Sequence, residues 1–523
     1  MPRESRNNII IFAAILIVAV LLRGLLLGQI PPGIHPDAAA NALDAWRAYT
    51  THHHQVFYTA NFGREGLLIN IISYSFQIFG PTLIAYKLPS VLVGIFSVVG
   101  MYFLGKNIHR QRRLGLISAF LLAISFWMIV FERTGLRATV SVACVIWTST
   151  FFLLALRQEK WHWYTLTGIF LGLGLNTYIS FRLMPVVLLL GFLYHAWLQR
   201  KVTGLPMSAT WKKHRYIFLT VVVSLAISLP LGLYFFHHPS YILGRADEVS
   251  VFTQPHSLLR LAESTIANLS IFSFFGDPNW RHNISTQPLL DVWQSILFYI
   301  GIILTWKQAR RVKKQNDPDS IIDTSAGVYI LILLGLMIIP AATTYSPGGV
   351  PHSLRIIDTA PAVYVLVAIG GSIILGWLLR TFEGQQKRIY LAMGLVAVVM
   401  TCNTSVQYFS PRWGLNHQVA HEYSQDYTRV SAYINQQARS GKLIYLVNTS
   451  SETEFFTINT PNLLRSAVSK ASDILAFQPS IIIITTGTAA DQDLTADLHK
   501  QGWTDVRLDL GEGGHSIIAL QHG

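Results

Sequence analysis

The sequence predicts an α-helical membrane protein that crosses the bilayer about eleven times and carries a small α/β domain at its C-terminal end. Three observations carry this reading. The 523 residues are 51% hydrophobic and only 13% charged, with a mean hydropathy of +0.40, too apolar for a soluble chain of this length. Apolar runs of about 20 residues, the length that spans hydrocarbon, recur along the chain. Lysine and arginine gather in the short segments between those runs, so the net charge of +13 reads as membrane sidedness and not as nucleic-acid binding.

In chain order the expected spans are 8–28, 82–104, 115–131, 136–156, 164–181, 183–199, 216–235, 291–306, 326–341, 357–379 and 389–405. With the N-terminus inside, the segments on the cytoplasmic side hold 21 lysines and arginines. The outer loops up to residue 356 hold nine arginines, Arg245 among them, and no lysine. That asymmetry predicts a multi-pass protein of the plasma (inner) membrane with its N-terminus cytoplasmic and residues 406–523 extracytoplasmic. The first run is read as an uncleaved anchor, since 31-PPGIHPD-37 offers no small-residue cleavage site. Arg23, near its outer end, is expected to snorkel to the headgroups. Cys144 and Cys402 stand far apart in apolar runs and suggest neither a disulfide framework nor a metal cluster.

Three regions depart from simple spans. The first outer loop, 29–81, contains "GLLINIISYSFQIFG" (Gly66–Gly80), apolar but short, which suits an interfacial or bundle-packed helix. A second outer loop, 236–290, ends in the turn-rich "FFGDPNWRHNISTQP". Beyond residue 405 the runs "KLIYLVN", "SIIIITTGT" and "HSIIALQHG" read as strands, with "AADQDLTADLHKQGW" between the last two as an amphipathic helix. The predicted domains are therefore a membrane catalytic domain over 1–405 and an α/β domain over 406–523. The second carries none of the chemistry-bearing candidates and is expected to be dispensable for the core reaction.

The chemistry lies in where polar groups fall on this topology. Asp37, Glu65, Arg133, Arg137, Arg182, Asp277, Arg281, His282, His352 and Arg355 all map to the outer side, several at span ends. Ionisable groups at a membrane edge that face one side line a cavity or pair with one another. Arginine's planar fork binds phosphate bidentately, and a nearby carboxylate can take a proton from an attacking hydroxyl. Plainer readings stand beside these. Asp37 can serve as the cap of a helix beginning at Ala38, with Asp44 on the same face two turns later. Glu65 beside Arg64 can be an interfacial ion pair. Arg133 and Arg137, at i and i+4, share one helix face and can be membrane anchors. "THHHQ" (Thr51–Gln55) resembles a metal cluster, but three successive histidines do not share one face of a regular element.

In "PPGIHPDAAANALDAW" and "NFGREGLLINIISYSFQIFGPTLIAYKLPSVLVGIFSVVGMYFLG" the chain resembles bacterial GT-C glycosyltransferases of the protein O-mannosyltransferase and aminoarabinose-transferase type (glycosyltransferase family 39-like). The resemblance continues through "SFWMIVFERTGLRA", "NTYISFRLMP", "GDPNWRHN" and "PHSLRIIDTAPA", over roughly residues 10–400. It implies a GT-C-like fold and transfer of a sugar from a polyprenyl-phosphate carrier to a lipid, glycan or protein acceptor outside the cytoplasm. It implies that Asp37 is the general base and that Glu65 orients it, binds the sugar or holds a divalent metal. It implies that Arg133, Arg137, Tyr178, Arg182, Asp277, Arg281, His282, His352 and Arg355 bind the lipid phosphate and sugar. One departure is visible: the family's frequent Asp-Glu pair is here Asp37 followed by Ala38. The competing readings are a polyisoprenoid or glycolipid transporter or flippase, and a degenerate GT-C paralogue acting as a scaffold. The first lacks visible repeats and midplane charges; the second leaves the outward arginines without a role.

Overall fold

The computed structural model describes residues 3–109, 111–204, 206–242, 249–310, 318–345, 349–466, 470–485, 489–510 and 516–522. Arg110, Arg245, Arg311, Lys313 and Lys314 of the charge asymmetry, Thr486–Thr488 at the end of one expected strand, and the terminal His515 and Gly523 of another lie outside the described residues. The chain divides into two compact units, each built from separated segments: 1–25, 55–68 and 87–408 form one, and 26–54, 69–86 and 409–523 form the other.

The first unit is a helical bundle. Among the described residues, eight helices are long and apolar enough to cross a membrane, or up to nine spans if the bent pair Arg112–Ala123 and Phe126–Glu132 counts as one. The chain is an integral membrane protein. Helix Ala138–Gln158 is 89% buried and sits inside the bundle, whereas Gln386–Phe409 is 6% buried and turns residues such as Leu391 and Val399 outward, as a lipid-facing helix does. Two expected spans differ in form. The run 115–131 turns by 58° after Ala123, because Ile124 leaves the helix and Ser125 starts a new one, its Oγ accepting from Met128 N. The run 164–181 stops being α-helical at Leu175 and continues as a 3-10 turn, Ile179–Leu183. Helices Val292–Arg310 and Ala360–Thr381 approach through two reciprocal glycines. A Cβ on Gly301 would lie 2.0 Å from Leu366 O, and one on Gly370 2.2 Å from Leu297 O.

Arg23 does not reach the headgroups. It is fully buried, its Nε 2.7 Å from Glu132 Oε2, and its guanidinium donates to Ala123 O and Leu122 O. Those two carbonyls end the first half of the bent pair, where the i to i+4 ladder stops, and the arginine supplements the donor that Ser125 N gives Leu122 O at 3.3 Å.

The second unit contains a five-stranded sheet. Strands β1 (Phe57–Tyr58) and β2 (Arg64–Glu65) form a short hairpin in the first unit. The five here are β3 (Ile444–Val447), β4 (Leu463–Ser466), β5 (Ile481–Ile484), β6 (Trp503–Asp505) and β7 (Ile518–His522), in the order β4-β3-β5-β7-β6. The first three are parallel and the last two antiparallel. β5 reads Ile-Ile-Ile-Ile because both its faces are covered. Ile482 and Ile484 pack with Leu494 and Leu498 of helix Ala489–Lys500, while Ile481 and Ile483 pack with Val430 and Ile434 of helix Gln425–Arg439. β4 and β6 escaped the sequence reading because they are short and carry polar residues.

The same unit holds the loop that bears Asp37. A Cβ on Gly33, whose φ is +103°, would meet Tyr423 O at 2.2 Å, and Arg47 reaches Glu454 at 3.8 Å. Phe455 stacks on Phe76. Residues after 409 are therefore packed on the Asp37 segment.

Candidate functional site

Asp37 lies in the first turn of helix Pro36–Thr51, not at its cap. His35 is the cap, and its Nδ1 accepts from Asp37 N at 3.1 Å. Pro36 supplies the preset φ at the first helical position. The Asp37 side chain keeps 29% of its surface, so it is open to a ligand. Asp44 is 7% exposed and accepts from Arg47 Nη1. The three histidines do not converge: His52 ends the helix in the left-handed region, and His54 bonds Ser73 Oγ and stacks on Tyr74.

In the bundle unit the predicted site residues fall into two clusters. The first is centred on Glu65. Arg182 Nη2 donates to Glu65 Oε1 at 3.2 Å, and Arg137 Nε lies 3.5 Å from Oε2. The hairpin of β1 and β2 presents Glu65, and Gly66 follows it because a Cβ there would strike Gln55 O at 2.1 Å. Arg137 stands at the N-terminus of Ala138–Gln158 with Tyr178 beneath its guanidinium, 5.8 Å from the ring centroid. Arg182 comes from the 3-10 turn, donates to Ile242 O and lies over Phe235. The carboxylate is 5% exposed, while the arginines keep 26% and 28% of their surface. Two part-open guanidiniums around one buried acid make an anion cradle. They also make a poor cation site: a metal held by Glu65 would face two positive charges at contact distance.

Arg133 is not in this cradle. It is fully buried, with Nη1 donating to Leu22 O and Arg23 O and Nε to Tyr408 Oη. It shares a helical spacing with Arg137, but residue 133 ends helix Phe126–Glu132 and residue 137 begins the next, so the two diverge.

The second cluster joins Asp277, His282 and His352. The segment 276–287 folds back on itself, with Gly276 N donating to Thr286 O and Thr286 N to Asp277 O. Asp277 Oδ1 accepts from Asn279 N, the side-chain turn expected of a G-D-P-N stretch. Oδ2 accepts from Ser353 N at 2.8 Å and Ser353 Oγ at 2.7 Å, with His282 Nδ1 at 3.3 Å. Burial opposes ionisation of Asp277, but the hydrogen bond and charge of His282 and the Ser353 amide outweigh it and hold the carboxyl well below its ordinary range. Burial, then the neighbouring His282 and Arg355, keeps His352 neutral despite the opposing pull of Asp277. Arg281 stands in the same loop on a donor from its own amide to Asn279 Oδ1, and Arg355 three residues beyond His352. One potential ligand atom from each of Asp277, His282 and His352 lies within 4.8 Å of the others. His352 Nδ1 is buried with no hydrogen bond among the described residues. Two imidazoles and a carboxylate suit a zinc-like ion, so this set, and not Glu65, fits a divalent metal. Sequence reasoning missed Ser353, although its place beside His352 in "PHSLR" was the available signal.

Residues 67–234 match the family described as dolichyl-phosphate-mannose-protein mannosyltransferase. In fold the chain is similar to ArnT from Cupriavidus metallidurans bound to undecaprenyl phosphate, with a TM-score of 0.51 and 12% identity over 98% of this chain and 97% of that one.

The family match covers about a third of the chain, and the likeness to ArnT shows a shared GT-C membrane fold.

The chain is also similar to the apo state of the same ArnT, with a TM-score of 0.50 and 12% identity over 99% and 98% of the two chains. A third likeness is to the Archaeoglobus fulgidus oligosaccharyltransferase in complex with zinc and sulfate, with a TM-score of 0.52 and 12% identity over 96% of this chain and 73% of that one. No curated protein matches it in sequence. The helical bundle and the small C-terminal sheet are thus the GT-C membrane architecture.

Proposed function

We propose that this protein is a GT-C glycosyltransferase that transfers a sugar from a polyprenyl-phosphate carrier to an acceptor hydroxyl on the extracytoplasmic face of the plasma membrane. The observation that carries the reading is the Glu65 cradle, in which Arg137 and Arg182 are held on one carboxylate with part of each guanidinium left open. The ArnT structure to which the chain is similar holds undecaprenyl phosphate, and a polyprenyl-phosphate donor agrees with that cradle. Arginine excess on the outer loops, with no lysine up to residue 356, supports the sidedness.

In this mechanism the acceptor O–H gives its proton to the Asp37 carboxylate as the oxygen bonds to the anomeric carbon. The bond from that carbon to the phosphate oxygen breaks, and its electron pair leaves with the carrier phosphate. Arg137 and Arg182 hold the phosphate and offset its growing charge. Glu65 keeps both guanidiniums pointed to one place. A divalent ion held by Asp277, His282 and His352 would supply further charge stabilisation when bound. No nucleotide is needed, since the carrier delivers the sugar in activated form.

The test is transfer from radiolabelled polyprenyl-phosphate sugars into a membrane extract by purified protein, with Asp37→Asn beside it. The amide keeps size and shape but cannot accept the proton, so turnover should vanish while the thermal midpoint stays. Near-normal turnover by Asp37→Asn removes Asp37 from the mechanism. Carrier binding without any labelled product from a panel of sugars and extracts overturns the transferase reading.

A further inference from the structure

Asp358 is a fully buried acid that the mechanism above leaves unused. It stands at the head of helix Ala360–Thr381, in the turn Ile357–Thr359. Among the described residues no basic group lies within ion-pair reach of it. Its hydrogen bonds come instead from two serines: Ser141 Oγ lies 2.8 Å from both carboxylate oxygens, and Ser180 Oγ donates to Oδ2 at 2.5 Å. A lone acid buried at the edge of a membrane bundle is costly, and such groups persist where they serve a site.

The two serines identify what Asp358 serves. Ser141 is four residues after Arg137, one turn into the same helix, and Ser180 is two residues before Arg182 in the same 3-10 turn. These are the two segments whose arginines meet on Glu65. The pair of segments is therefore tied twice, by Glu65 through the arginines and by Asp358 through the serines behind them. The two ties differ in what a ligand does to them. A phosphate that engages Arg137 and Arg182 competes with Glu65 for the same donors, so the outer tie loosens when the site fills. The inner tie is fully buried and takes no part in that exchange.

We propose that Asp358 is a positioning residue for the phosphate cradle: by joining Ser141 to Ser180 it fixes the spacing of Arg137 and Arg182 when Glu65 is displaced. This rests on the phosphate-binding reading of that cradle. Asp358 touches no substrate, being enclosed by protein, and acts only through the two arginine-bearing segments.

The experiment is a double-mutant cycle on affinity for polyprenyl phosphate in detergent micelles, with donor KM, acceptor KM and thermal midpoint measured alongside. Ser180→Ala cuts one arm and removes a single hydroxyl, so the protein should fold. It should weaken carrier binding about tenfold and raise donor KM while leaving acceptor KM close to wild type, with the fall in thermal midpoint that loss of one buried hydrogen bond brings. In an Arg182→Ala background the same substitution should change affinity less than twofold, because its effect runs through Arg182. Asp358→Asn should restore near-normal affinity, since a serine hydroxyl can turn to accept from the new amide and preserve both ties. Asp358→Leu, which preserves neither, should behave like Ser180→Ala or worse. An equal loss from Ser180→Ala in both backgrounds, or no loss in the wild type while Arg182→Ala is impaired, overturns the positioning role. Unchanged affinity in Arg182→Ala alone overturns the phosphate reading on which it stands.

Discussion

Arg182 donates to Glu65 Oε1 at 3.2 Å, so the carboxylate occupies the direction from which a phosphate would approach that guanidinium. The acid gathers the two arginines and would compete with a phosphate for them. Replacing Glu65 by Gln removes the competing charge and keeps the shape. Carrier-phosphate affinity should rise about threefold to tenfold, equivalent to about 1 kcal/mol. Arg137→Ala and Arg182→Ala should each lower it by about 1–3 kcal/mol, the range for a charge-assisted bond in a partly desolvated site. Calorimetric titration with polyprenyl phosphate measures all three, and weaker binding by Glu65→Gln would show that the acid's ordering of the arginines outweighs its competition.

Arg133 should behave oppositely to Arg137. Its donors go to Leu22 O, Arg23 O and Tyr408 Oη, all inside the bundle. Tyr408→Phe should cost about 1–2 kcal/mol of stability, the price of leaving a buried donor unmade, with donor KM unchanged. A shift in donor KM without loss of thermal midpoint would return Arg133 to the binding site.

Acid should destabilise the protein through its buried histidines. His214, outside the spanning helices, is 1% exposed, and its Nδ1 meets Tyr164 Oη at 2.7 Å. Burial, then the neighbouring His195 and Lys213, pulls it down to about 3. A depressed histidine favours the folded state above the unfolded value near 6.5, and that contribution is lost as the pH falls below it. At pH 5 the loss is about 2 kcal/mol for this residue, and His352 adds to it with the same sign. Asp277, also depressed, acts only later, below about pH 4. Thermal unfolding in detergent between pH 7 and 5 should show the decline, and His214→Gln should flatten it; an unchanged slope in that variant would place the acid sensitivity elsewhere.

If the second cluster takes a metal, zinc should raise the thermal midpoint of the wild type and not of His352→Ala. Asp277 is a poorer variant for this purpose, because its carboxylate also holds Ser353 N and Oγ. Equal zinc response in both proteins would leave the cluster as a hydrogen-bonded brace between residues 277–282 and 352–353.

Gly33→Ala should uncouple the Asp37 segment from its support. The added methyl would meet Tyr423 O at 2.2 Å and Thr428 Oγ1 at 2.8 Å, at a φ that disfavours any side chain. A clash with backbone cannot be relieved by a rotamer, so the cost should be about 3 kcal/mol. Turnover should fall while carrier-phosphate affinity stays, and proteolysis should cut the 26–54 segment faster. Normal turnover would mean that the packing of this segment is irrelevant to the acid it carries.

Much of the architecture was legible because one variable, apolar run length, sets a spanning helix. The break at Ile124–Ser125 was hidden by that same variable, since hydropathy does not change where the backbone turns. Among the candidate site residues, Glu65, Arg137 and Arg182 were singled out by sidedness, and the structure brings them together. Arg133 has the same residue type, side and spacing as Arg137; only the chain's exit from one helix and entry into another separates their roles. Asp358 gave no signal, because an acid opening an apolar run reads as an ordinary first-turn residue. Its partners, Ser141 and Ser180, lie 217 and 178 positions away.

The loop bearing Asp37 leans on residues made almost four hundred positions later, at Tyr423 and Glu454. During synthesis the early helices and the whole arginine cradle can exist before that support has left the ribosome. The acid then sits on an unsupported loop until the last hundred residues have been delivered and folded around it. If Asp37 is the base, proton abstraction is the final capability the growing chain acquires, and a prematurely ended chain keeps the arginine cluster without a seated acid.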